Sequence, residues 1–362
     1  MKELARRDRL GSRRIVFDPT SGVWAADLRA LIARLPAARR SGLDRQGVEA
    51  AWGLVDAPER TCLRGVRAVP PGMALVERGE RATVAPASVL ACEAPLDAAL
   101  VDAAARALAS SRRPVVALGG GIDAPLAVLA ARRAGVVVTE AIHLAIPGTS
   151  YDESREARAV AAALGLELHE LTLGVADLAR ELPLAVRLAE TPLYNLHPVS
   201  RAVLSRAAKA RGHDALVTGD GADQAARGAT EPADYVPIVS AITRGSHLAL
   251  ASPFLDDGIV DLLASARDPG KTALRALAVA WGLPGAIAER AKVPAFAPAL
   301  PRSAFPSADA LAHLGRALGR TLAWSDDDRA NVGIASLAAL VASLELQLEV
   351  ELEASPATQG AA

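Results

Sequence analysis

The chain has 362 residues, enough to bury a sizeable core and to form two domains. Apolar residues make up 51% of it and aromatics only 3%, which favours alanine- and leucine-rich helices over an all-β build. A formal net charge of −1 gives no broad electrostatic case for nucleic acid, and two cysteines, Cys62 and Cys92, make neither a zinc set nor a disulfide framework. The sequence opens without a signal-peptide pattern and holds no apolar run of the roughly 20 residues that span a bilayer. A cytoplasmic enzyme with no membrane partner is therefore expected.

Residues 1–95 read as a small α+β unit. Residues 14–17 are expected as a strand, 26–35 as a short amphipathic helix, Val69-Pro70-Pro71-Gly72 as a rigid turn, and 73–76 with 81–84 as a hairpin. No catalytic constellation lies there. A helix over 96–111 then leads into PVVALGGGIDAPLAVLAARR at 114–133, whose order is strand, glycine turn, helix. Three glycines permit positive φ and let the backbone N–H groups turn toward one point. The helix start adds free N–H groups and the positive end of its dipole. The product is an anion site, with Leu118, Gly119, Gly120, Gly121, Asp123 and Ala124 as its candidate residues.

Two chemistries fit that loop. Gly119-x-Gly121-x-x-Ala124 satisfies a dinucleotide fingerprint, with Glu140 after a strand at 136–139 in the place of a ribose-binding acid. The other reading is the pyrophosphate loop of ATP-cleaving ligases, in which Asp123 carries the chemistry. Taken alone, Asp123 also suits a helix N-cap.

From 114 to about 225 strands and helices alternate, with strands at 115–118, 136–143, 168–173 and 214–218. Helices are expected at 125–133, 153–164 and 198–211, the last closed by Gly212. This pattern means an α/β fold: a parallel sheet with helices on both faces, and ligands beyond the carboxyl ends of its strands. A second glycine loop, Thr218-Gly219-Asp220-Gly221-Ala222-Asp223-Gln224, follows the last of these strands. If its strand lies beside the first, Asp123 and Asp223 face one small volume. Two such carboxylates beside a phosphate nest need a hard cation, and Mg²⁺ takes one or two carboxylates plus phosphate oxygens. A dehydrogenase has no need of the second pair of acids. A third cluster holds Ser252-Pro253-Phe254-Leu255-Asp256, Lys271-x-x-Leu274-Arg275 and Glu289-Arg290-Ala291-Lys292. Residues 334–352 suit a helix by propensity, although 344–353 alternates like an edge strand, and no order is expected after Glu353.

Taken in order, these pieces resemble the asparagine synthetase family and its relatives, the β-lactam synthetases and lasso-peptide cyclases. The resemblance runs from about 13 to 300 through the loop at 119–124, Tyr151-Asp152-Glu153, Glu190-Thr191-Pro192, the loop at 218–223, residues 252–256, Lys271 to Arg275, and Arg290-Ala291-Lys292. It implies a truncated glutaminase remnant at 1–95, an ATP-binding synthetase domain of the adenine-nucleotide α-hydrolase-like fold at 96–302, and a helical extension at 303–362. It also implies ATP-dependent adenylation of a small-molecule or peptide carboxylate, followed by attack of an amine or ammonia. Asp123 and Asp223 would hold Mg²⁺, Gly219 and Gly221 would join the first loop around ATP, and Lys292 and Lys271 would neutralise developing charge. Asp220 sits where the family has an acid that assists proton transfer.

The departures are specific. Gly119, Ala124 and Pro125 stand where the family loop usually carries serines, and Gln224 replaces a glutamate. A catalytically impaired homologue that binds a partner is therefore the alternative. The chain begins Met1-Lys2, and neither Cys62 nor Cys92 joins a thiol to a free α-amino group as an amino-terminal cysteine amidase requires. No glutamine hydrolysis is expected, and nitrogen would come from ammonia, a separate amidase or an amine on the substrate, which includes a precursor peptide.

Overall fold

Five parallel strands form the central sheet: β7 (Pro114–Ala117), β8 (Glu140–Ala145), β9 (Glu167–Thr172), β10 (Ala215–Val217) and β11 (Ala249–Ala251), in the order β11-β10-β7-β8-β9. The computed structural model describes residues 2–36, 42–44, 46–48, 50, 59–79, 81–88, 92–149, 151–227, 235–290 and 301–348. Strand β7 lies in the middle, with β8 added on one side and β10 on the other. The loops leaving β7 and β10 therefore part across a topological switch point, where open α/β sheets bind ligands.

Both sheet faces are covered. Val116, Ala141, Ala215 and Val217 pack with buried residues of the helices Leu96–Leu108, Asp123–Arg133, Ser154–Leu164 and Asp257–Ala266. Val115, Ile142 and Leu216 point the other way, toward Ala208 of the helix His197–Ala210. Strand side chains alternate faces, so strands buried on both sides must be apolar throughout, as Ala215-Leu216-Val217 is.

The amino-terminal part adds two small antiparallel sheets. One joins β1 (Lys2–Arg6) to the hairpin of β5 (Met73–Arg78) and β6 (Arg81–Pro86). The other pairs β2 (Val16–Phe17) with β3 (Trp24–Ala25) and β4 (Arg67–Ala68). Helix α1 (Leu28–Arg34) follows β3, capped by the Asp27 carboxylate. Its first turn is tied to the sheet-bearing part by Glu190, a buried residue at φ +53° that accepts from the Leu28 and Arg29 N–H groups at 2.7 and 2.9 Å. Burial raises the Glu190 pKa against the opposing pull of Arg14, 3.2 Å away, and of those two N–H groups.

The expected helix at the carboxyl end is present as Asp328–Leu348, and the edge-strand alternative is not adopted. Alanine and leucine propensity decides there, supported by burial of Leu337, Leu340, Val341 and Leu344. Ala330–Leu348 is long and apolar enough, by length and composition, to cross a membrane, and 61% of its most apolar stretch is buried inside the protein. Residues after Glu353 lie outside the described residues. One apolar cluster joins Leu31 and Leu63 of the amino-terminal part, Leu178 and Val186 of the middle, and Leu337 and Leu344 of the last helix. The three expected segments thus share a core.

That shared core predicts cooperative unfolding. Leu337→Ala, at a fully buried site, should cost about 2–5 kcal/mol and lower the transition for the whole chain. Leu346→Ala, at a site 78% exposed, should stay within about 0.5 kcal/mol of the parent in the same urea titration.

Candidate active site

The first glycine loop leaves β7 at Leu118 and enters the helix Asp123–Arg133. None of Gly119, Gly120 and Gly121 takes positive φ, so backbone freedom is not why they are glycines. Close approach is the reason at Gly120, where an added Cβ would lie 1.4 Å from Arg290 Nη1 and 2.8 Å from Glu156 Cβ. His143 supports the loop from beneath, its Nδ1 lying 2.8 Å from the Leu118 carbonyl oxygen. Asp123 is not the N-cap. Ile122 holds that position, and Asp123 begins the first turn, where the helix dipole favours its negative charge.

The second loop leaves β10 at Thr218 and enters the short helix Ala222–Ala226. It passes so near the first that a Cβ on Gly219 would stand 2.3 Å from Asp123 Cβ. Only glycine fits there, and the approach brings Asp223 beside Asp123.

Lys271 joins the two acids. Its Nζ lies 2.6 Å from Asp123 Oδ2 and 2.7 Å from Asp223 Oδ1, with only 8% of the side chain exposed. Lys271 sits at φ +57°, a left-handed conformation that costs a non-glycine residue roughly 1–3 kcal/mol and is kept where the surroundings impose it. Arg275 supplies part of that constraint. Its Nε donates to the Gly270 carbonyl at 3.0 Å, and its Nη1 donates to the carbonyls of Ala288 and Arg290. Lys271 and Arg290 are thereby fixed to one frame.

Asp220 is held differently. Arg201 Nη1 and Nη2 donate to its two carboxylate oxygens at 2.8 and 3.0 Å, and Thr218 Oγ1 donates to Oδ2 at 2.8 Å. Its carbonyl accepts from Ser252 Oγ at 2.7 Å. Burial lowers the Arg201 guanidinium pKa, yet Asp220 together with Tyr235 and Tyr151 outweighs that and raises it. Both carboxylate oxygens of Asp220 are engaged in this pair, so the residue is built as a clamp on the second loop as well as an acid. Tyr151, His197 and Tyr235 border the pair, with His197 edge-on to Tyr151 and its Nε2 3.0 Å from the Tyr235 hydroxyl. Burial raises the pKa of both tyrosines, so each is a protonated O–H group at neutral pH.

Mg²⁺ fits the Asp123–Asp223 pair. Both are hard oxygen donors, and their convergence on one ammonium nitrogen shows that a cation between them reaches both. Among the described residues no group of three or more His, Cys, Asp or Glu is arranged to hold a metal, so phosphate oxygens would have to complete the shell.

The placement of Glu140 removes the dinucleotide reading. Glu140 is the first residue of β8, at the amino end of the strands, opposite the two loops. There it meets His169 Nε2 at 2.9 Å, Arg113 Nη2 at 3.3 Å and His213 Nε2 at 3.5 Å. The strand begins four residues later than expected, because after the turn at 134–135 residues 136–139 run irregularly into it, which places Glu140 at the wrong edge for a ribose. Lys292 lies outside the described residues. Arg201 and His143 are not among the expected site residues, and Arg290 is expected only as part of the Arg290-Ala291-Lys292 piece, with no role of its own. Each is distant in sequence from the group it touches.

Three comparisons with known proteins bear on this geometry. Residues 95–238, about two fifths of the chain, match the family model described as asparagine synthase. The match leaves out residues 1–94 and 239–362, and is narrower than the resemblance over 13–300. An NMN synthetase from Francisella tularensis is similar in structure, at 15% identity and a TM-score of 0.35, covering 72% of this chain and 97% of that one. At that score the likeness carries no functional weight. No curated protein matches the chain. The domain match supports an ATP-dependent enzyme of the ligase type, from a family that uses ATP, usually with Mg²⁺.

The Lys271 bridge predicts a metal-dependent rescue. Lys271→Ala leaves two facing carboxylates uncompensated and should cost about 1–3 kcal/mol, less than a fully buried pair because both acids keep some exposure. Millimolar Mg²⁺ should restore part of that loss in Lys271→Ala and change the parent little, as read by thermal unfolding. Equal Mg²⁺ response in both proteins would contradict a shared cation seat.

Proposed function

We propose that an asparagine synthase domain at residues 95–238 makes this chain an ATP-dependent amide-forming ligase. The observation that carries the reading is the convergence of Asp123 and Asp223 from two glycine loops on the cation Lys271, at the switch point of a parallel sheet.

In the proposed reaction, a substrate carboxylate oxygen attacks the α-phosphorus of ATP and pyrophosphate leaves. An amine or ammonia nitrogen then attacks the activated carbonyl carbon, loses a proton, and AMP departs with the bonding electrons. The Gly119–Gly121 loop and the helix start at Asp123 would bind phosphate through backbone N–H groups and the helix dipole. Asp123 and Asp223 would hold Mg²⁺, which when bound draws the phosphate oxygens together and offsets their charge. Lys271, displaced from between the two acids, would sit against the phosphates and neutralise charge that grows as pyrophosphate leaves. Lys292 is proposed for the same task at the activated carboxylate.

Asp220, clamped by Arg201, would accept a hydrogen bond from the attacking nitrogen while its position is held. Arg201, which engages both carboxylate oxygens, fixes where that acceptor sits. Tyr151, His197 and Tyr235 form a wall of ring edges and O–H donors beside it, suited to the polar end of a small-molecule or peptide substrate. We place the enzyme in the cytoplasm, and its amino-terminal 95 residues are proposed as a glutaminase-derived remnant that packs on the ligase part and has no amidase activity of its own.

Cys62 supports that last point. Burial, with Arg14 opposing, pushes its thiol up to about 12, so it is a buried apolar group and not a nucleophile. Incubation with glutamine should give no glutamate above background. Release abolished by Cys62→Ala would overturn this.

ATP–pyrophosphate exchange with a panel of carboxylates tests the ligase directly. Exchange should occur with the right acid, and Asp223→Asn should lower it by two orders of magnitude or more, about 3 kcal/mol in the barrier. ATP binding with no exchange for any acid would favour the impaired homologue.

A further inference from the structure

The first loop already holds an anion and a cation of its own. Gly120 N–H donates to Glu153 Oε2 at 3.2 Å, and a Cβ on Gly119 would lie 2.7 Å from that same oxygen. The other oxygen, Oε1, pairs with Arg290 Nη1 at 2.8 Å. Arg290 lies across Gly120, near enough that no side chain fits beneath it, and its Nη2 is 3.9 Å from Glu156 Oε1. The Arg290 carbonyl is fastened by Arg275, so the guanidinium is aimed from a fixed backbone. A carboxylate therefore rests where backbone N–H groups of the loop await an anion, with a guanidinium closed over it.

We propose that Arg290 is the phosphate-binding cation of this loop and that Glu153 is its internal place-holder, surrendered when a nucleotide's phosphate arrives. The inference rests on the ATP-ligase reading for the identity of the anion. A phosphate presents three acceptor oxygens and more negative charge than a carboxylate, and the planar fork of an arginine matches it bidentately. A guanidinium over Gly120 also supplies donors to a loop that has glycine, alanine and proline where hydroxyls are usual. Glu153 satisfies Gly120 N–H and neutralises Arg290. Phosphate must outcompete Glu153 for both partners, so affinity is held down.

Inorganic pyrophosphate is the probe, measured by calorimetry on the full chain with Mg²⁺. Glu153→Gln should bind it about tenfold tighter than the parent, Arg290→Ala about tenfold weaker, and the double variant should match Arg290→Ala alone. That lack of additivity separates release of Arg290 from a merely structural role. Glu153→Asp, too short to reach Gly120 and still charged, gives a second reading and should tighten binding by a smaller factor. Pyrophosphate binding that is unchanged or weaker in both Glu153 variants overturns the place-holder and leaves the ligase reading intact. Pyrophosphate bound by neither parent nor variants, with ATP–pyrophosphate exchange present, overturns Arg290 as a phosphate ligand. Absence of both binding and exchange overturns the ligase reading as well.

Discussion

Two carboxylates are brought together by the order of the strands, and the charge between them must be cancelled. With β10 beside β7, the loop at 218–221 has to run against the helix start at Asp123, and Asp123 and Asp223 meet in a part-buried space. Like charges so placed repel strongly in a medium of low effective dielectric. The Lys271 ammonium, 2.6 and 2.7 Å from the two acids, offsets one of the two charges and screens their repulsion. Its left-handed backbone and the Arg275 bonds behind it are the local cost of holding it there.

The same rule of internal neutrality governs the surrounding groups. Asp220 is matched by Arg201, and Glu153 by Arg290. Asp123, Asp223, Asp220 and Glu153 all meet a base drawn from a different element, so the site is a set of cross-links between loops as well as a place for chemistry. Glycine at 120 and 219 is the consequence, because the charged partners lie against backbone with no room for a Cβ. Glu190 extends this logic to the amino-terminal part, where it gives α1 a buried carboxylate in place of solvent for its first N–H groups. A ligand that brings both a divalent cation and phosphates carries charges of both signs that these pairs already accommodate.

Much of this was legible in the sequence because it depends on local pattern. Short apolar runs ahead of a glycine loop, 115–118 and 215–217, mark β7 and β10, and the alternation of elements implies their parallel sheet. The convergence of Asp123 and Asp223 followed from one further assumption, that the two strands are neighbours. What escaped depends on long-range contact. Strand β11 is three residues of alanine and leucine with no turn chemistry to mark it. Glu140 was placed at the wrong end of its strand by a four-residue boundary shift, which in a parallel sheet moves a residue from the ligand edge to the opposite one. Arg201 and Arg290 meet acids 19 and 137 residues away, and only the folded sheet joins them. Three glycines in a row suggest positive φ, and in the fold none adopts it; Gly119 and Gly120 serve close approach instead.

The claim on which the account turns is that the seat now filled by Lys271 is the one a divalent cation takes. Anomalous X-ray diffraction from crystals grown with Mn²⁺ and a non-hydrolysable ATP analogue tests it. A single metal peak within coordination distance of both Asp123 and Asp223, with the Lys271 ammonium moved onto phosphate oxygens, is the predicted result. A nucleotide bound at the loops with Lys271 still between the two acids and the metal elsewhere would contradict it.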